Sequence, residues 1–181
     1  MTDNRTWFTR RKPLVMLVVL LQVLVLSGLA VSYYAIGWFG DSIKVRTVPV
    51  DPRDLFYGDY VTLQYEISTI PLSIWQGSPE RLEQGTKLYV VVKSGADGIY
   101  EAIAASDKPL EAGAGEYVLI GSTEYYWDHK YSGMGIPVRY GIEKFYVPEN
   151  TGKALEEKAD RLVVELKVAP WGKMKIEQLV E

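Results

Sequence analysis

The chain has 181 residues, no cysteine and a formal net charge of −3. Without cysteine it can hold no disulfide, thiol nucleophile or cysteine-bound metal, so packing and backbone hydrogen bonds must carry the fold. Its first 40 residues contain four bases (Arg5, Arg10, Arg11, Lys12) and one acid (Asp3), which leaves 16 Lys and Arg against 22 Asp and Glu in the rest; such a net-acidic surface lacks the basic stripe that a nucleic-acid partner needs.

Residues 14–36 form an almost unbroken apolar run of 23 residues. As a helix this run reaches about 35 Å, enough to cross a hydrocarbon core of about 30 Å. Arg10, Arg11 and Lys12 precede it, and Tyr33, Tyr34, Trp38 and Phe39 stand at its far end. Bases on one side and interfacial aromatics on the other predict a cytoplasmic N-terminus and an extracytoplasmic domain. Residues 1–13 then read as a basic tail, 14–39 as the membrane anchor and 41–181 as one domain. A cleaved signal peptide is the competing reading, with Gly28-Leu29-Ala30 as a cleavage point; the run exceeds the usual apolar length of about 7–15 residues, which favours the uncleaved anchor. Gln22 near mid-membrane and the small pair Gly28 and Ser32 suit close approach of a second helix. A single-pass helix also tolerates them.

The domain opens with an alternating stretch, residues 43–48, whose Ile43, Val45 and Thr47 share one face. Pro49 and Pro52 end it. Asp51-Pro52-Arg53-Asp54 and Gly58-Asp59 form a turn region, and a strand is expected from Tyr60, with Val61, Leu63, Tyr65 and Ile67 on its buried face. Residues 68–85 are punctuated by Pro71, Gly77, Pro79 and Gly85, yet carry Ile70, Leu72, Ile74 and Trp75; the expectation is an irregular segment lying over the sheet. Residues 87–92 and 99–104 read as strands joined through Ala96-Asp97-Gly98, Asp-Gly being a strong hairpin signal. Residues 106–116 read as a connection, and further strands are expected over 117–123, 138–147, 162–168 and 173–180, the last with Met174, Ile176 and Gln178 on one face. Residues 153–160 read as a short helix. The fold class is mainly β: an N-terminal transmembrane helix, then one antiparallel, barrel- or sandwich-like domain with a short helix in its C-terminal half.

Residue types for chemistry are sparse. His129 is the sole histidine, in a Gly-rich stretch beside Asp128. Asp51, Asp54 and Asp59 cluster, but their spacing is not that of a calcium loop, and turn formation accounts for them; no metal site and no cofactor is expected. A carboxylate pair drawn from Asp54, Asp59, Glu66 and Glu143 would support an extracytoplasmic hydrolase if two of them faced one cleft. Tyr125, Tyr126, Trp127 and Tyr131 could line a platform for envelope sugar or lipid, or belong in part to the core. Residues 55–59 also resemble the L-x-x-G-D portion of the membrane-anchored signal peptidase motif. Val50 stands where that motif has its serine, so the nucleophile is missing and the peptidase mechanism cannot run.

Gly58-Asp59-Tyr60, Leu63 and Tyr65 match the pattern GDYxxLxY. Upstream stand Asp51, Arg53 and Asp54; downstream, Tyr140-Gly141-Ile142-Glu143, Phe145-Tyr146-Val147 and Pro148-Glu149 form a second run. On these two separated motifs the chain resembles the bacterial GDYxxLxY family across residues 41–181, with Phe145-Tyr146 in place of the commoner Tyr-Phe order. The resemblance implies a membrane-anchored protein associated with a multi-spanning membrane partner. It supplies no catalytic residue. The functional expectation is a single-pass accessory or interaction protein of the cell membrane, with a sugar- or lipid-binding module and a carboxylate hydrolase as alternatives. The turn region and the second motif are expected to pack against each other.

Overall fold

The computed structural model describes residues 5–48, 60–77, 81–128, 135–146 and 162–180. A 35-residue helix, α1 (Arg5–Phe39), leads directly into strand β1 (Asp41–Val48). Gly40 alone joins them, its N–H donating to the Ile36 carbonyl at 3.0 Å. The stretch Lys12–Phe39 is long and apolar enough to span a membrane, and its side chains stay outside the domain core until Ile36, which is buried.

Among the described residues, thirteen strands follow the helix. After β1 come β2 (Tyr60–Thr62), β3 (Gln64–Tyr65), β4 (Thr69–Ile70) and β5 (Arg81–Leu82). The longer β6 (Lys87–Ser94), β7 (Tyr100–Ser106) and β8 (Glu116–Thr123) come next, then β9 (Trp127–Asp128), β10 (Ile136–Arg139) and β11 (Lys144–Tyr146). The chain closes with β12 (Val163–Val168) and β13 (Met174–Val180). Among the described residues, one sheet has the order β13-β12-β1-β3 and another the order β4-β10-β8-β6-β7; β11 pairs with β2 and β5 with β9. All of these pairings are antiparallel. The sheets are open, so of the two expected forms the closed barrel is not the one adopted. They share one core: Ile43, Val45, Val164 and Leu166 from the first sheet meet Leu88, Val90, Leu119 and Val138 from the second.

Alternation places the core side of β1 as expected, with Ile43, Val45 and Thr47 buried. Buried Thr47 has no lost polar group, because its hydroxyl donates to the Leu162 carbonyl at 2.7 Å. The hairpin β6–β7 is also found, but its turn sits one residue earlier than Asp-Gly suggests. Gly98 N–H donates to the Gly95 carbonyl, so Ala96 and Asp97 are the central pair and Gly98 follows at φ +80°. Asp97 contributes by accepting the Ile99 N–H at 3.0 Å.

Two expected continuous strands are interrupted. The one beginning at Tyr60 breaks at Leu63, because the chain changes partner there: β2 pairs with β11, whereas β3 pairs with β1. It then turns through a 3-10 turn at Glu66–Ser68, although Leu63, Tyr65 and Ile67 remain buried as alternation requires. The one expected over 138–147 breaks between β10 and β11, where Gly141 takes φ +82°. In β13 the register skips Glu177, because the adjacent residues Glu165 and Leu166 pair with Gln178 and Ile176; this bulge inverts the alternation, so Leu179 rather than Gln178 packs against the core with Met174 and Ile176. The segment expected to lie irregularly over the sheet is partly built into the sheets instead, as β4 beside β10 and β5 beside β9; between them Leu72, Ile74 and Trp75 pack half-buried against the core that holds Ile70. The helix expected over 153–160 lies outside the described residues.

Candidate functional site: two motif segments clasped together

The two motif segments, separated by more than 70 positions, meet in the core through a reciprocal exchange. The Tyr65 hydroxyl donates to the Ile142 carbonyl at 2.7 Å. The Tyr140 hydroxyl donates to the Ile67 carbonyl, also at 2.7 Å. Each tyrosine thus reaches the residue two positions beyond the other. The geometry has a simple origin: each ring occupies a core position, and burial of a phenol requires a partner for its O–H. Each accepting carbonyl lies where the backbone leaves the ladder and lacks a strand partner of its own. A third tie is purely backbone, Leu63 N–H donating to the Glu143 carbonyl at 2.7 Å. Beyond it, β2 and β11 pair Thr62 with Lys144 and Val61 with Phe145.

Glu143 fixes the turn that makes this possible. Its carboxylate accepts the N–H groups of Tyr140 and Gly141, the latter on both oxygens at 3.1 and 2.9 Å. Arg139 stands 3.7 Å from the same carboxylate and 3.8 Å from that of Glu124. Burial raises the pKa of both tyrosines above the ordinary phenol value, and the nearby Glu143 charge adds to the shift. Both hydroxyls are therefore held as neutral donors. Ser68 completes the cluster by accepting the Tyr65 N–H at 3.3 Å.

The remaining candidate residues scatter. Asp51, Arg53, Asp54, Gly58, Asp59, His129, Tyr131, Pro148 and Glu149 lie outside the described residues. Tyr60 begins β2, and Leu63 is buried beside Tyr65. Trp127 is a core residue whose indole N–H donates to the Gly135 carbonyl at 2.9 Å, whereas Tyr125 and Tyr126 are exposed. Glu66 faces Arg46 at 3.6 Å on the surface. Of the four carboxylates considered for hydrolysis, Glu66 and Glu143 are engaged in these structural contacts; Asp54 and Asp59 are not described. Among the described residues no group of three or more His, Cys, Asp or Glu is placed to hold a metal ion.

Sequence reasoning missed the pair formed by Asp128 and Arg81. Asp128 is buried, accepts from Tyr126 at 3.4 Å and meets the Arg81 guanidinium at 3.1 Å. The pair joins β9 to β5, and nothing in the local pattern around either residue announces it. A charge buried in this way needs its partner, so the pair is a structural bolt rather than a reactive site.

Chemically, the clasp presents neutral phenols and a saturated carboxylate, all turned inward to bind backbone. Comparison with curated proteins finds no match, and comparison with solved structures finds none either. A family model described as GDYXXLXY protein matches residues 22–179. That span includes the end of the apolar helix, both motif segments and the final hairpin, and the chain belongs to the GDYXXLXY family.

Proposed function

We propose that the protein is a single-pass, membrane-anchored accessory protein whose β-domain stands outside the cytoplasm and docks with a multi-spanning membrane protein. The observation that carries this reading is the junction at Gly40: one residue separates an apolar helix of spanning length from the first strand. A tether that short holds the domain at the bilayer surface, where a membrane partner is within reach. Gln22 adds support, because its exposed amide would face lipid unless another helix met it. The basic run before the helix supports the orientation.

The test is crosslinking in intact membranes followed by gentle solubilisation and affinity capture of the full chain. The reading expects one membrane protein to be enriched stoichiometrically, and that enrichment to fall with Gln22→Leu. A solitary monomer under these conditions would overturn it. A second reading, an envelope sugar- or lipid-binding module, draws on the exposed pair Tyr125 and Tyr126. Trp127 faces the core instead and offers such a platform no ring face, so the accessory role is the better supported of the two.

A further inference from the structure

We propose that the turn between β12 and β13 is a second membrane-contact element, with Trp171 seated in the boundary between headgroups and acyl chains beside the end of α1. The proposal rests on the membrane reading of α1 given above. Its starting point is position. Asp41 pairs with Val168, so the C-terminal end of β12 lies level with the start of β1. The packing there is close: a Cβ on Gly40 would stand 3.1 Å from the Val168 carbonyl oxygen. Trp171 is three residues further on, within roughly 11 Å of that point by chain length. It therefore lies at the end of the domain from which α1 departs.

Chemistry and rigidity agree with that position. Trp171 is 44% exposed on a turn that is otherwise tied down. Ala169 N–H donates to the Lys173 carbonyl at 2.8 Å, and Gly172 N–H to the Ala169 carbonyl at 2.9 Å. The turn is also anchored to the other sheet, Ile120 N–H donating to the Gly172 carbonyl at 3.0 Å. The indole is thus presented outward by a fixed backbone. Trp is the side chain best suited to the membrane–water boundary, being apolar in body and polar at one edge. Trp38 and Phe39 are exposed at the end of α1, so the indole extends an aromatic band that the helix begins.

Two lysines fit the same surface. Lys173 is exposed beside Trp171, and the Lys175 ammonium lies 5.7 Å from the centre of the Tyr33 ring, which precedes Trp38 by five residues. Neither makes an ion pair among the described residues. The acids at this end have other contacts: Asp41 interacts with Tyr117, and Glu177 is 3.7 Å from Lys167. Each lysine near an anionic bilayer is drawn to it by charge. The occupant is therefore a lipid surface containing anionic headgroups.

The chain has no cysteine, which permits single-cysteine spin labelling of the full-length protein. Trp38→Cys, Trp171→Cys and Ala96→Cys are each reconstituted in vesicles of phosphatidylcholine and phosphatidylglycerol. Collision with oxygen, which concentrates in lipid, is compared with collision with a water-soluble nickel chelate. Trp38 reports the helix end, and Ala96 the far hairpin turn, whose Asp97 holds Arg46 well along β1. The proposal expects position 171 to match position 38, with oxygen access several-fold above that of the chelate, and position 96 to show the reverse. Position 171 behaving like 96 while 38 is in lipid overturns the proposal and leaves the anchor intact. Position 38 in water overturns the anchor reading itself. Lys173→Cys, which retains Trp171, repeats the measurement if the Trp171→Cys protein does not fold.

Discussion

Tyr65 and Tyr140 hold together parts of the chain that no local interaction would bring close. Removing one hydroxyl leaves a buried carbonyl without its donor, which costs about 1–3 kcal/mol. Tyr65→Phe and Tyr140→Phe are each expected to lose that amount, read by chemical denaturation of the detergent-solubilised full chain. A change below about 0.5 kcal/mol, the low end for a net hydrogen bond, would show that the exchange does not stabilise the core. The same residues predict an alkaline transition. Their pKa values in the folded protein are raised by burial, while in the unfolded chain they titrate near the ordinary phenol value of about 10. Their contribution is complete below that pH. As pH rises past about 10 the unfolded state loses protons first, and stability falls by about 1.4 kcal/mol per pH unit for each tyrosine until the folded phenols ionise. Absorbance of tyrosinate should show these two phenols ionising together with loss of tertiary structure, and Tyr65→Phe should make the loss shallower. The importance of Tyr65 and Tyr140 was legible as motif membership. Their reciprocal bonding was not, because no spacing rule links positions more than 70 residues apart.

The elements illustrate what alternation can and cannot reveal. β1, β6, β8 and β12 lie close to where hydrophobic period and β-branched residues place them, since each buries one face over most of its length. The breaks at Leu63 and at Tyr140–Glu143 escaped because alternation continues across them: side chains keep pointing inward while the backbone changes partner. The shift at Gln178 escaped for a different reason: the extra residue Glu177 inverts the alternation within β13 itself, and strict period-two reading carries straight through it. Another long-range contact decides the final hairpin. β10 covers only the end of β8, pairing with Ser122 and Thr123, and the Gly172 carbonyl takes the edge N–H of Ile120 upstream of it. Gly172 has φ +81°, and a Cβ there would lie 2.6 Å from Ile120 Cγ1. Gly172→Ala is therefore expected to cost at least the 1–2 kcal/mol of a left-handed non-glycine residue. It should also raise hydrogen exchange at the Ile120 amide. Unchanged exchange there would mean that the turn is not anchored to β8.

For the whole molecule, composition and period conveyed the mainly β class and the apolar helix, but not the division into open sheets around one core. That division depends on where strands end, which side-chain patterns report poorly. The candidate site was legible as two short motifs. Its character was not: the contacts of Tyr65, Tyr140 and Glu143 turn inward, which makes this a site of construction and moves attention to the surfaces that the construction displays.

The single residue between helix and sheet makes the molecule behave like a key on its shaft. Ile36 is seated in the domain and Gly40 lies against Val168, so there is little play between the two parts. An α-helix advances about 100° per residue, and the angular position of the domain around the helix axis is therefore set by helix length. One alanine inserted within residues 24–30 turns the domain by about 100° relative to the lower helix, while seven return it to within about 20°. If a partner grips both the lower helix and the domain, capture should be lost with one inserted residue and regained with seven. Equal capture with both would mean that the partner reads only one of the two parts.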